Sequence, residues 1–541
     1  MVAPPRLTLR ADLLAQLAAP QTFDVAVVGG GATGLGVALD AAARGLRVLL
    51  LEAHDFAKGT SSRSTKLVHG GVRYLAQGQL GFVRESLKER ALLLAHAPHL
   101  AQPLPFVIPA YRRWDKLIYG VGLKLYDAMA GSAGLGATEW LSPQQTQALL
   151  PTVQTQGLHG GVKYWDGQFN DARLAITLAR TAAVHGALML NYCPVNALLY
   201  DQGRVTGLTC TDAETGRSYS VRSRCIINAT GVWVNALCEQ DDPARTAARL
   251  ADAMGQPSAA VRPSQGTHLV VDREFLPGDA ALMIPRTADG RVLFALPWLG
   301  KVILGTTDAP CDDMPLEPQP KAHEVDFILA EVGRYLSRSP TRRDVRSAWA
   351  GLRPLVQVAQ DADVSTSQLS REHKIWVSPS GLLSVTGGKW TAYRAMAQDV
   401  MNACFEHGLL DLVWQRRGGT EHLGLVGSDS ANTGASIRDA EGLHSYGSER
   451  ECVLALDEGE PELALGLTPA MVRFAVRHEY ARTVEDVLAR RSRLLFLDAA
   501  LARMIAPKVA AILAQEALVT PQIEAFDALA GNYLSLPKKI S

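Results

Sequence analysis

The sequence predicts an α/β fold: a Rossmann-like parallel sheet, an antiparallel β-sheet and an α-helical region towards the C-terminus. An apolar run at 23–29 leads into a glycine cluster, a helix at 32–44 and a second apolar run at 46–51. Together they form a β-α-β unit of about thirty residues, the usual size of that motif. Turn residues divide 281–307 into short apolar strands, which predicts antiparallel hairpins. Helical periodicity over 461–529 predicts the C-terminal helices.

The composition is that of a globular protein with more than one domain. The chain has 541 residues, 47% of them hydrophobic, and we expect about two to three domains at this length. Lys+Arg and Asp+Glu both number 54, so no net charge attracts the protein to nucleic acid. The seven cysteines are scattered, which predicts free thiols in a reducing compartment and no metal site. No apolar stretch suits a membrane span or a signal peptide, so we expect a cytoplasmic protein.

The order of these elements predicts interleaved domains. An N-terminal extension with a short amphipathic helix precedes the first strand. The region 23–405 then alternates between a nucleotide-binding domain and a substrate domain, and a Gly/Ser/Asn-rich linker leads to a helical cap. The predicted boundaries are 1–22 for the extension; 23–75, 165–245 and 350–405 for the nucleotide-binding domain; 76–164 and 246–349 for the substrate domain; 406–450 for the linker; and 451–541 for the cap.

A glycine fingerprint, GGGATG at 29–34, follows the first strand and opens the next helix. Gly29 allows the tight turn, Gly31 lets the backbone approach a pyrophosphate, and Gly34 lets the helix pack closely on the strand. Glu52 ends the second strand, where its carboxylate can accept both ribose hydroxyls and would repel a 2′-phosphate, which argues against NADP. The alternative is a glycine-rich turn without function, and it leaves the strand, the helix and Glu52 unexplained.

The loop at 59–71 favours FAD over NAD. It is dense in hydroxyls and small residues, which can hydrogen-bond the edge of a flavin ring and its ribityl chain. A solvent-exposed Ser/Thr loop is the alternative, and it is the commoner fate of this composition taken alone. The predicted cofactor-binding residues are Gly29, Gly31, Ala32, Thr33, Gly34, Glu52, Ser61, Ser62, Ser64, Lys66, Leu67, His69, Gly71, Val195, Ala229, Thr230, Gly231, Gly388, Lys389, Trp390 and Thr391.

Two later turns and a meander support the same cofactor. The turn at 387–391 links a strand to a helix, so its amides and helix dipole would face an anion such as the N1–C2=O locus of reduced flavin. The turn at 229–231 would border the adenine half of the cofactor. A meander inserted before the parallel sheet resumes is common in FAD folds and unusual in NAD folds. Its strands are predicted at 195–200, 205–211 and 219–224, and the parallel sheet resumes with a strand at 225–228.

Six segments occur in a specific order along the chain: GTSSRSTKLVHGGVRYL (59–75), DARL (171–174), INATGVWV (227–234), GTTD (305–308), GLRPL (351–355) and GGKWTAYR (387–394). Taken together they resemble the FAD-dependent glycerol-3-phosphate dehydrogenases of the aerobic respiratory type. The resemblance covers 23–406 and extends into the cap over 476–500. The chain departs from the family at Trp390, where a smaller residue is frequent, and in its N-terminal extension.

The resemblance implies a glutathione-reductase-type FAD-binding domain, an antiparallel substrate domain and a helical cap. It implies a substrate site of Arg73, Tyr74, His268, Arg353 and Lys389. Guanidinium and ammonium groups suit a phosphate dianion. A histidine has an unperturbed pKa near neutrality, so His268 is the candidate base, and the predicted catalytic residues are His268, Arg353 and Lys389. Taken alone, the residue pattern favours a core histidine at 268 and leaves a buried ion-pair arginine at 353 as an alternative.

The implied activity is oxidation of sn-glycerol 3-phosphate to dihydroxyacetone phosphate, with electrons passed through FAD to a quinone. Two alternatives stay open because a fold does not fix a substrate. One is an amine or hydroxy-acid oxidase of the same fold. The other is a non-catalytic flavin-binding assembly protein, which would not need the arginines of the pocket. The expected partners are glycerol 3-phosphate, a quinone, an anionic membrane surface and a second copy of the chain in a homodimer.

A segment at 111–129 interleaves basic residues with aromatic and aliphatic ones near helical spacing. Such a segment can lie in a bilayer interface, which a quinone-reducing enzyme must reach. The alternative is an amphipathic core helix with a solvated basic face. We expect peripheral binding to the cytoplasmic face of the inner membrane. The basic residues are Arg112, Arg113, Lys116 and Lys124, and the apolar ones are Trp114, Leu117, Ile118, Tyr119, Leu123, Leu125 and Tyr126.

Overall fold

Two large β-sheets and a C-terminal group of helices make up the part of the chain that the computed structural model describes: residues 8–72, 78–112, 114–241, 260–357, 372–415, 419–429, 435–517 and 520–538. The strands are β1 (Thr22–Val28), β2 (Val48–Leu51), β3 (Leu67–Val68), β4 (Ala101–Pro109), β5 (Glu139–Leu141), β6 (Gly161–Phe169), β7 (Leu188–Leu190), β8 (Val195–Asp201), β9 (Arg204–Thr211), β10 (Ser218–Asn228), β11 (Ala260–Asp272), β12 (Ala281–Ile284), β13 (Leu293–Trp298), β14 (Lys301–Gly305), β15 (Ala309–Pro310), β16 (Ser347–Gln357), β17 (His373–Val377) and β18 (Leu383–Gly387).

The helices among these residues are α1 (Arg10–Ala18), α2 (Ala32–Ala43), α3 (Leu80–His96), α4 (Asp115–Ala130), α5 (Pro143–Leu149), α6 (Asp171–Val184), α7 (Val234–Asp241), α8 (Ala322–Gly333), α9 (Tyr393–Glu406), α10 (Arg450–Leu454), α11 (Pro469–His478), α12 (Leu494–Leu497), α13 (Ala499–Ala517) and α14 (Ile523–Leu534). A π-helical turn, Asp486–Arg491, precedes α12.

The first sheet carries the predicted Rossmann-like unit. Its strand order is β17-β18-β10-β1-β2-β7, with β9 and β8 added beside β10. The five strands from β18 to β7 pair in parallel. β2 is buried along its whole length, as expected for a parallel strand covered on both faces. The predicted β-α-β unit is therefore confirmed as β1, α2 and β2, and the carboxyl ends of β1, β2 and β10 meet at one edge of the sheet.

The predicted meander is confirmed, but the prediction of separate strands at 219–224 and 225–228 is wrong. Both segments belong to β10. Its first part pairs antiparallel with β9 and alternates between exposed and buried residues. Its last four residues are continuously buried and lie beside β1. The change in hydrophobic pattern marks the point where one strand passes from a half-solvated meander into the covered parallel sheet.

The second sheet brings together strands from three distant parts of the chain. Its order is β15-β11-β14-β13-β12-β4-β6-β3, with β16 also paired to β11 and β5 to β6. The predicted hairpins are confirmed as β12-β13-β14. β11 lies between β14 and β16, so its residue His268 faces Gly305 on one side and Trp349 on the other.

The N-terminal helix packs against the first sheet, and the C-terminal helices contact β16 of the second sheet. The predicted N-terminal helix is confirmed as α1, where Arg10 donates to the Asp212 carboxylate and to the carbonyl of Tyr192. The predicted C-terminal helices are confirmed between 469 and 534. Between 407 and 449 the described residues form only short 3₁₀ turns, yet Leu425 and Ile437 are buried. The predicted domain boundaries stay a prediction.

No helix among the described residues has both the length and the hydropathy that a membrane-spanning helix needs.

Buried charges connect the C-terminal region to the loop that follows β2 of the first sheet. Asp55, which is fully buried after β2, accepts from both Arg490 and Arg491 of the π-helical turn. Burial alone would raise the pKa of Asp55, but the two arginines lower it below its usual value. Arg493, two residues after the end of the π-helical turn, donates to the carbonyl of Ser62. The loop at 59–71 is therefore held in place by Arg493, which lies more than four hundred residues later in the chain.

Asp55→Asn should destabilise the protein strongly, because two buried guanidinium groups would lose their carboxylate. Breaking a buried ion pair by removing one partner costs about 3–5 kcal/mol. Thermal unfolding followed by circular dichroism measures the loss. The matched control is Asp527→Asn, which removes the partner of Arg503 in an exposed pair and should change little. Equal melting temperatures for the two variants would contradict the role given to Asp55.

Candidate active site

Two neighbouring cavities share one wall residue, Thr60. The nucleotide cavity, about 390 Å³, lies at the carboxyl ends of β1, β2 and β10. The central cavity, about 300 Å³, lies beside β3, β16 and the turn after β18. Both volumes are in the range of ligand-binding pockets. A single extended ligand could therefore pass Thr60 and occupy both.

The predicted cofactor-binding residues divide between these cavities. The nucleotide cavity is lined by Gly29, Gly31, Glu52, Ser61, Val195, Ala229, Thr230 and Gly231. The central cavity is lined by Ser64, Leu67, His69, Gly71, Gly388, Lys389, Trp390 and Thr391. Five predicted residues line neither cavity: Ala32, Thr33, Gly34, Ser62 and Lys66. Their role in cofactor binding stays a prediction.

The start of α2 is built for close approach of a phosphate. Gly31 is its N-cap residue, and the amide of Ala32 donates to Oγ of Ser61 at 2.9 Å. A Cβ on Gly34 would overlap the carbonyl oxygen of Gly29, so only glycine lets helix and strand pack this closely. The helix N-terminus thus presents its positive dipole end to the nucleotide cavity.

Glu52 is held rigidly at the floor of the nucleotide cavity. Its Oε2 accepts from the amide of Gly30 at 2.7 Å, and its Oε1 accepts from the amide of His54 at 2.8 Å. Burial raises the pKa of Glu52, and these two amides oppose the shift. Each carboxylate oxygen has a further lone pair. The residue can therefore accept hydrogen bonds from a ribose, as the sequence predicts.

The loop at 59–71 is anchored by a buried carboxylate, Asp171. Its Oδ2 accepts from Oγ of Ser64 at 2.7 Å and from Nζ of Lys66 at 2.6 Å. Burial lowers the pKa of Lys66 to about 7, although Asp171 opposes the shift. The ammonium also donates to the carbonyl of Ser62, so the Lys66 side chain points into the protein, away from both cavities.

Three of the five predicted substrate residues line the central cavity: His268, Arg353 and Lys389. Arg73 and Tyr74 lie outside the described residues. The three that are described come from β11, β16 and the turn after β18, so only the folded sheets bring them together.

His268 is almost fully buried, with 2% of its surface exposed. Its ring stacks on Trp349, with 4.2 Å between ring centroids. Burial lowers the pKa of His268 well below its usual value, and the charges of Lys66 and Arg353 lower it further. The imidazole is therefore neutral and has a free electron pair with which to accept a proton.

Arg353 is oriented by the loop that follows β14. Its Nη2 donates to Oγ1 of Thr306 at 3.2 Å and to the carbonyl of Thr307 at 3.1 Å. Its Nη1 lies 3.6 Å from the Asp308 carboxylate. A second guanidinium, that of Arg291, donates to the carbonyl of Asp308 at 2.6 Å and also lines the cavity. Two arginines thus converge on one end of the central cavity.

Lys389 belongs to the turn after β18, which forms one wall of the central cavity. Its ammonium is 4.1 Å from the ring centroid of Phe82. Gly388 has φ +76° and a Cβ there would overlap the sulfur of Met396, so this turn requires glycine. Oγ1 of Thr391 accepts from the amide of His69 at 3.3 Å, which ties the turn to the loop at 59–71.

The sequence analysis missed several residues of the central cavity. They are Thr65, Arg291, Thr306, Thr307, Asp308 and the apolar group of Phe106, Tyr164 and Phe294. The GTTD segment at 305–308 was visible as a motif, but nothing in it shows that it orients Arg353. That contact depends on β11 pairing with both β14 and β16. Among the described residues, no group of His, Cys, Asp and Glu could hold a metal ion.

Comparisons with known protein families and structures agree with this geometry. A family model described as FAD dependent oxidoreductase matches residues 24–394. A second, the C-terminal domain of alpha-glycerophosphate oxidase, matches residues 418–522. The first of these covers both cavities, and the second covers the π-helical turn whose arginines bind Asp55.

The chain is similar to glycerol-3-phosphate dehydrogenases over most of its length. It is 40% identical to the mitochondrial enzyme of Homo sapiens, over 91% of this chain and 70% of that protein. It is also 40% identical to the probable mitochondrial enzyme of Caenorhabditis elegans, over 95% of this chain and 73% of that protein. The crystal structure of glycerol-3-phosphate dehydrogenase from Bacillus halodurans, complexed with FAD, has a TM-score of 0.77 at 28% identity and 99% coverage of both chains.

Glu52→Arg should abolish retention of the dinucleotide, because the ribose acceptor is lost and a bulky cation enters the nucleotide cavity. The cofactor-to-protein ratio of the purified variant, read from its visible spectrum, measures the effect. Glu524→Arg makes the same charge reversal at an exposed position on α14 and should keep the cofactor-to-protein ratio of the wild type. A Glu52→Arg protein with an unchanged ratio would show that the fingerprint has been misplaced.

Proposed function

The chain belongs to the FAD-dependent glycerol-3-phosphate dehydrogenase family, and we propose that it oxidises sn-glycerol 3-phosphate to dihydroxyacetone phosphate and passes the electrons to a quinone. The observation that carries the proposal is the central cavity, which is lined by a neutral buried histidine and by the cationic side chains of Arg291, Arg353 and Lys389. This space adjoins the nucleotide cavity at Thr60.

The residues present fit FAD. The N-terminus of α2 and Glu52 suit the pyrophosphate and the adenosine ribose. A second helix start, at Lys389 and Trp390, leads into α9 and borders the central cavity with its amides. The indole of Trp390 donates to the carbonyl of Ser61 at 2.8 Å, so both helix starts are tied to the same loop. Bound FAD supplies the acceptor for the hydride that leaves C2 of the substrate.

The cationic end of the central cavity suits the phosphate of the substrate. Arg353, Arg291 and Lys389 can all reach into it. Guanidinium forks and ammonium groups make short, charge-assisted hydrogen bonds to phosphate oxygens. Asp308 and the Thr306 hydroxyl hold Arg353 in place before any ligand binds. Such preorganisation reduces the cost of ordering the site on binding.

His268 is the residue that can take the proton of the substrate's C2 hydroxyl. The ring is neutral, buried and oriented by its stacking on Trp349. The low pKa comes from burial and from the neighbouring cations, so a proton accepted during the reaction is readily released afterwards. A non-catalytic assembly protein would not need the cationic wall. A hydroxy-acid oxidase of the same fold would use it, because arginine also binds a carboxylate, and titration with glycerol 3-phosphate distinguishes the two enzymes.

Arg353→Ala should weaken the binding of glycerol 3-phosphate by about 2–4 kcal/mol, the cost of removing one partner of a desolvated charge pair. Anaerobic titration measures this, since the substrate should bleach the yellow wild-type protein. The apparent affinity for glycerol, which lacks the phosphate, should change much less. Arg334→Ala, on the exposed side of α8, is the control. A wild-type protein that glycerol 3-phosphate does not bleach would contradict the proposed substrate, and wild-type affinity in Arg353→Ala would contradict the phosphate site.

The predicted membrane segment forms helix α4, whose exposed face is strongly apolar. Trp114 is 73% exposed and Ile118 is 65% exposed, and Leu117, Val121 and Leu125 are also exposed. The expectation that Leu123 and Tyr126 share this face is wrong, because both are buried. Their positions in the helix turn them towards the second sheet.

The buried face of α4 leads to the central cavity. The hydroxyl of Tyr126 donates to the carboxylate of Asp166 at 3.0 Å, and Asp166 lines that cavity. One helix therefore separates the cavity from an apolar surface that carries Lys124, while the half-buried Lys116 donates to the carbonyl of Leu141. This arrangement supports our proposal that α4 binds an anionic bilayer, as a peripheral protein on the cytoplasmic face of the inner membrane, and that the quinone is reached there. The homodimer stays a prediction.

Leu117→Glu combined with Ile118→Glu and Val121→Glu should release the protein from anionic liposomes, because three exposed apolar groups on α4 become charged. Lys124→Glu, which reverses an exposed charge on the same helix, should weaken binding by around 1 kcal/mol. Co-sedimentation measures both. Leu412→Glu with Val413→Glu, at another exposed apolar site, is the control. Reduction of the flavin by glycerol 3-phosphate should be unchanged in all variants. Variants of α4 that pellet like the wild type would exclude this surface.

A further inference from the structure

Thr65 stands between the central cavity and the buried histidine. Its side chain is partly exposed and lines the cavity. Its Oγ1 lies 2.9 Å from Nε2 of His268, which is hydrogen-bond distance. Thr65 thus contacts both the space where a substrate would bind and the nitrogen that would accept its proton.

The position of Thr65 is fixed by its two neighbours in the chain. Ser64 and Lys66 both donate to the buried carboxylate of Asp171. Oγ of Ser64 also accepts from the amide of Lys66 at 3.0 Å, which closes a tight turn around Thr65. A hydroxyl held this way keeps its geometry without a ligand, as a proton-transfer group requires.

His268 has its Nε2 committed to Thr65. The charged groups that act on the ring are Lys66, from the loop, and Arg353, from β16. Burial lowers the pKa of the ring most, and these two cations lower it further. A neutral imidazole protonated at Nδ1 presents an electron pair at Nε2, and the Thr65 hydroxyl then donates to it. A substrate hydroxyl in the cavity would meet the oxygen of Thr65, which has a lone pair to accept another proton.

We propose that Thr65 is a catalytic residue that relays the proton of the substrate's C2 hydroxyl to Nε2 of His268. The proposal rests on the proposed function. The O–H bond of the substrate breaks as its proton moves to Oγ1 of Thr65, and the proton of Thr65 moves to Nε2. The C2–H bond breaks, its hydrogen would leave as hydride to the bound FAD together with the electron pair, and C2 and its oxygen become a carbonyl. Thr65 ends the step as it began, and the imidazole has gained one proton.

Thr65→Val tests the relay, because it keeps the β-branched shape and removes the hydroxyl. Anaerobic stopped-flow reduction by glycerol 3-phosphate should show a limiting rate lower by on the order of 10²-fold or more, the usual contribution of positioned proton transfer. The apparent dissociation constant should change little. Thr65→Ser keeps the hydroxyl and should restore most of the rate. Thr146→Val, at a buried threonine of α5 that does not line the cavity, is the matched control and should behave like the wild type.

A proton inventory separates a relay from a purely structural role. If two protons move in the same step, a plot of the limiting rate of the wild type against the fraction of D₂O should be curved. A single transfer gives a straight line. Thr65→Ser should keep the curve, and the residual reaction of Thr65→Val should give a line. A linear wild-type inventory would overturn the relay, as would Thr65→Val and Thr65→Ser proteins that are equally slow or equally fast.

The hydrogen bond itself can be tested without substrate. In protein labelled with ¹⁵N-histidine, the His268 signal, assigned with the His268→Asn variant, should shift in Thr65→Val and be retained in Thr65→Ser. An unshifted signal would contradict the contact on which the relay depends. A wild-type flavin that glycerol 3-phosphate does not reduce would overturn the proposed function and the relay together. Normal reduction in Thr65→Val would overturn the relay alone.

Discussion

The buried carboxylate of Asp171 is the interaction on which the site depends. It lies at the start of α6, accepts from Ser64 and Lys66, and has Arg493 at 3.4 Å. A buried charge is tolerated only when it is paired and hydrogen-bonded, so the carboxylate fixes the loop, the helix and the C-terminal turn relative to one another. Both cavities take part of their walls from that loop. The geometry of the nucleotide site and that of the central cavity are thus set by one anion.

The position of the loop also determines the electrostatics of His268. Because Asp171 draws the ammonium of Lys66 inwards, this cation lies near the histidine rather than in the cavity. Arg353 approaches the ring from β16. The same residues that stabilise the fold therefore keep the ring neutral. Burial is the largest cause of the low pKa of His268, and these two neighbouring cations lower that pKa further.

Much of the fold could be predicted from the sequence because its signals are local. The fingerprint before α2, the turns between β12 and β14 and the periodicity of the last helices each depend on nearby residues. The loop at 59–71 and the meander favoured FAD, and the family resemblance named His268, Arg353 and Lys389. What could not be predicted depends on contacts between distant segments. The inward direction of Lys66 requires knowing that Asp171 lies beside it. The placement of Thr65 against His268 requires the pairing of β11 with β16.

The ion pairs of Asp55 with Arg490 and Arg491 have a consequence for the order in which the protein folds. During synthesis the nucleotide-binding strands leave the ribosome hundreds of residues before these arginines do. Until then the carboxylate of Asp55 has no guanidinium partners, and the backbone of the loop at Ser62 lacks the support of Arg493. The nascent chain can form β1, α2 and β2 early, but a rigid flavin pocket must await residue 493. A chain that has not yet exposed residue 493 therefore lacks the contacts that hold Asp55 and the loop at 59–71 in place.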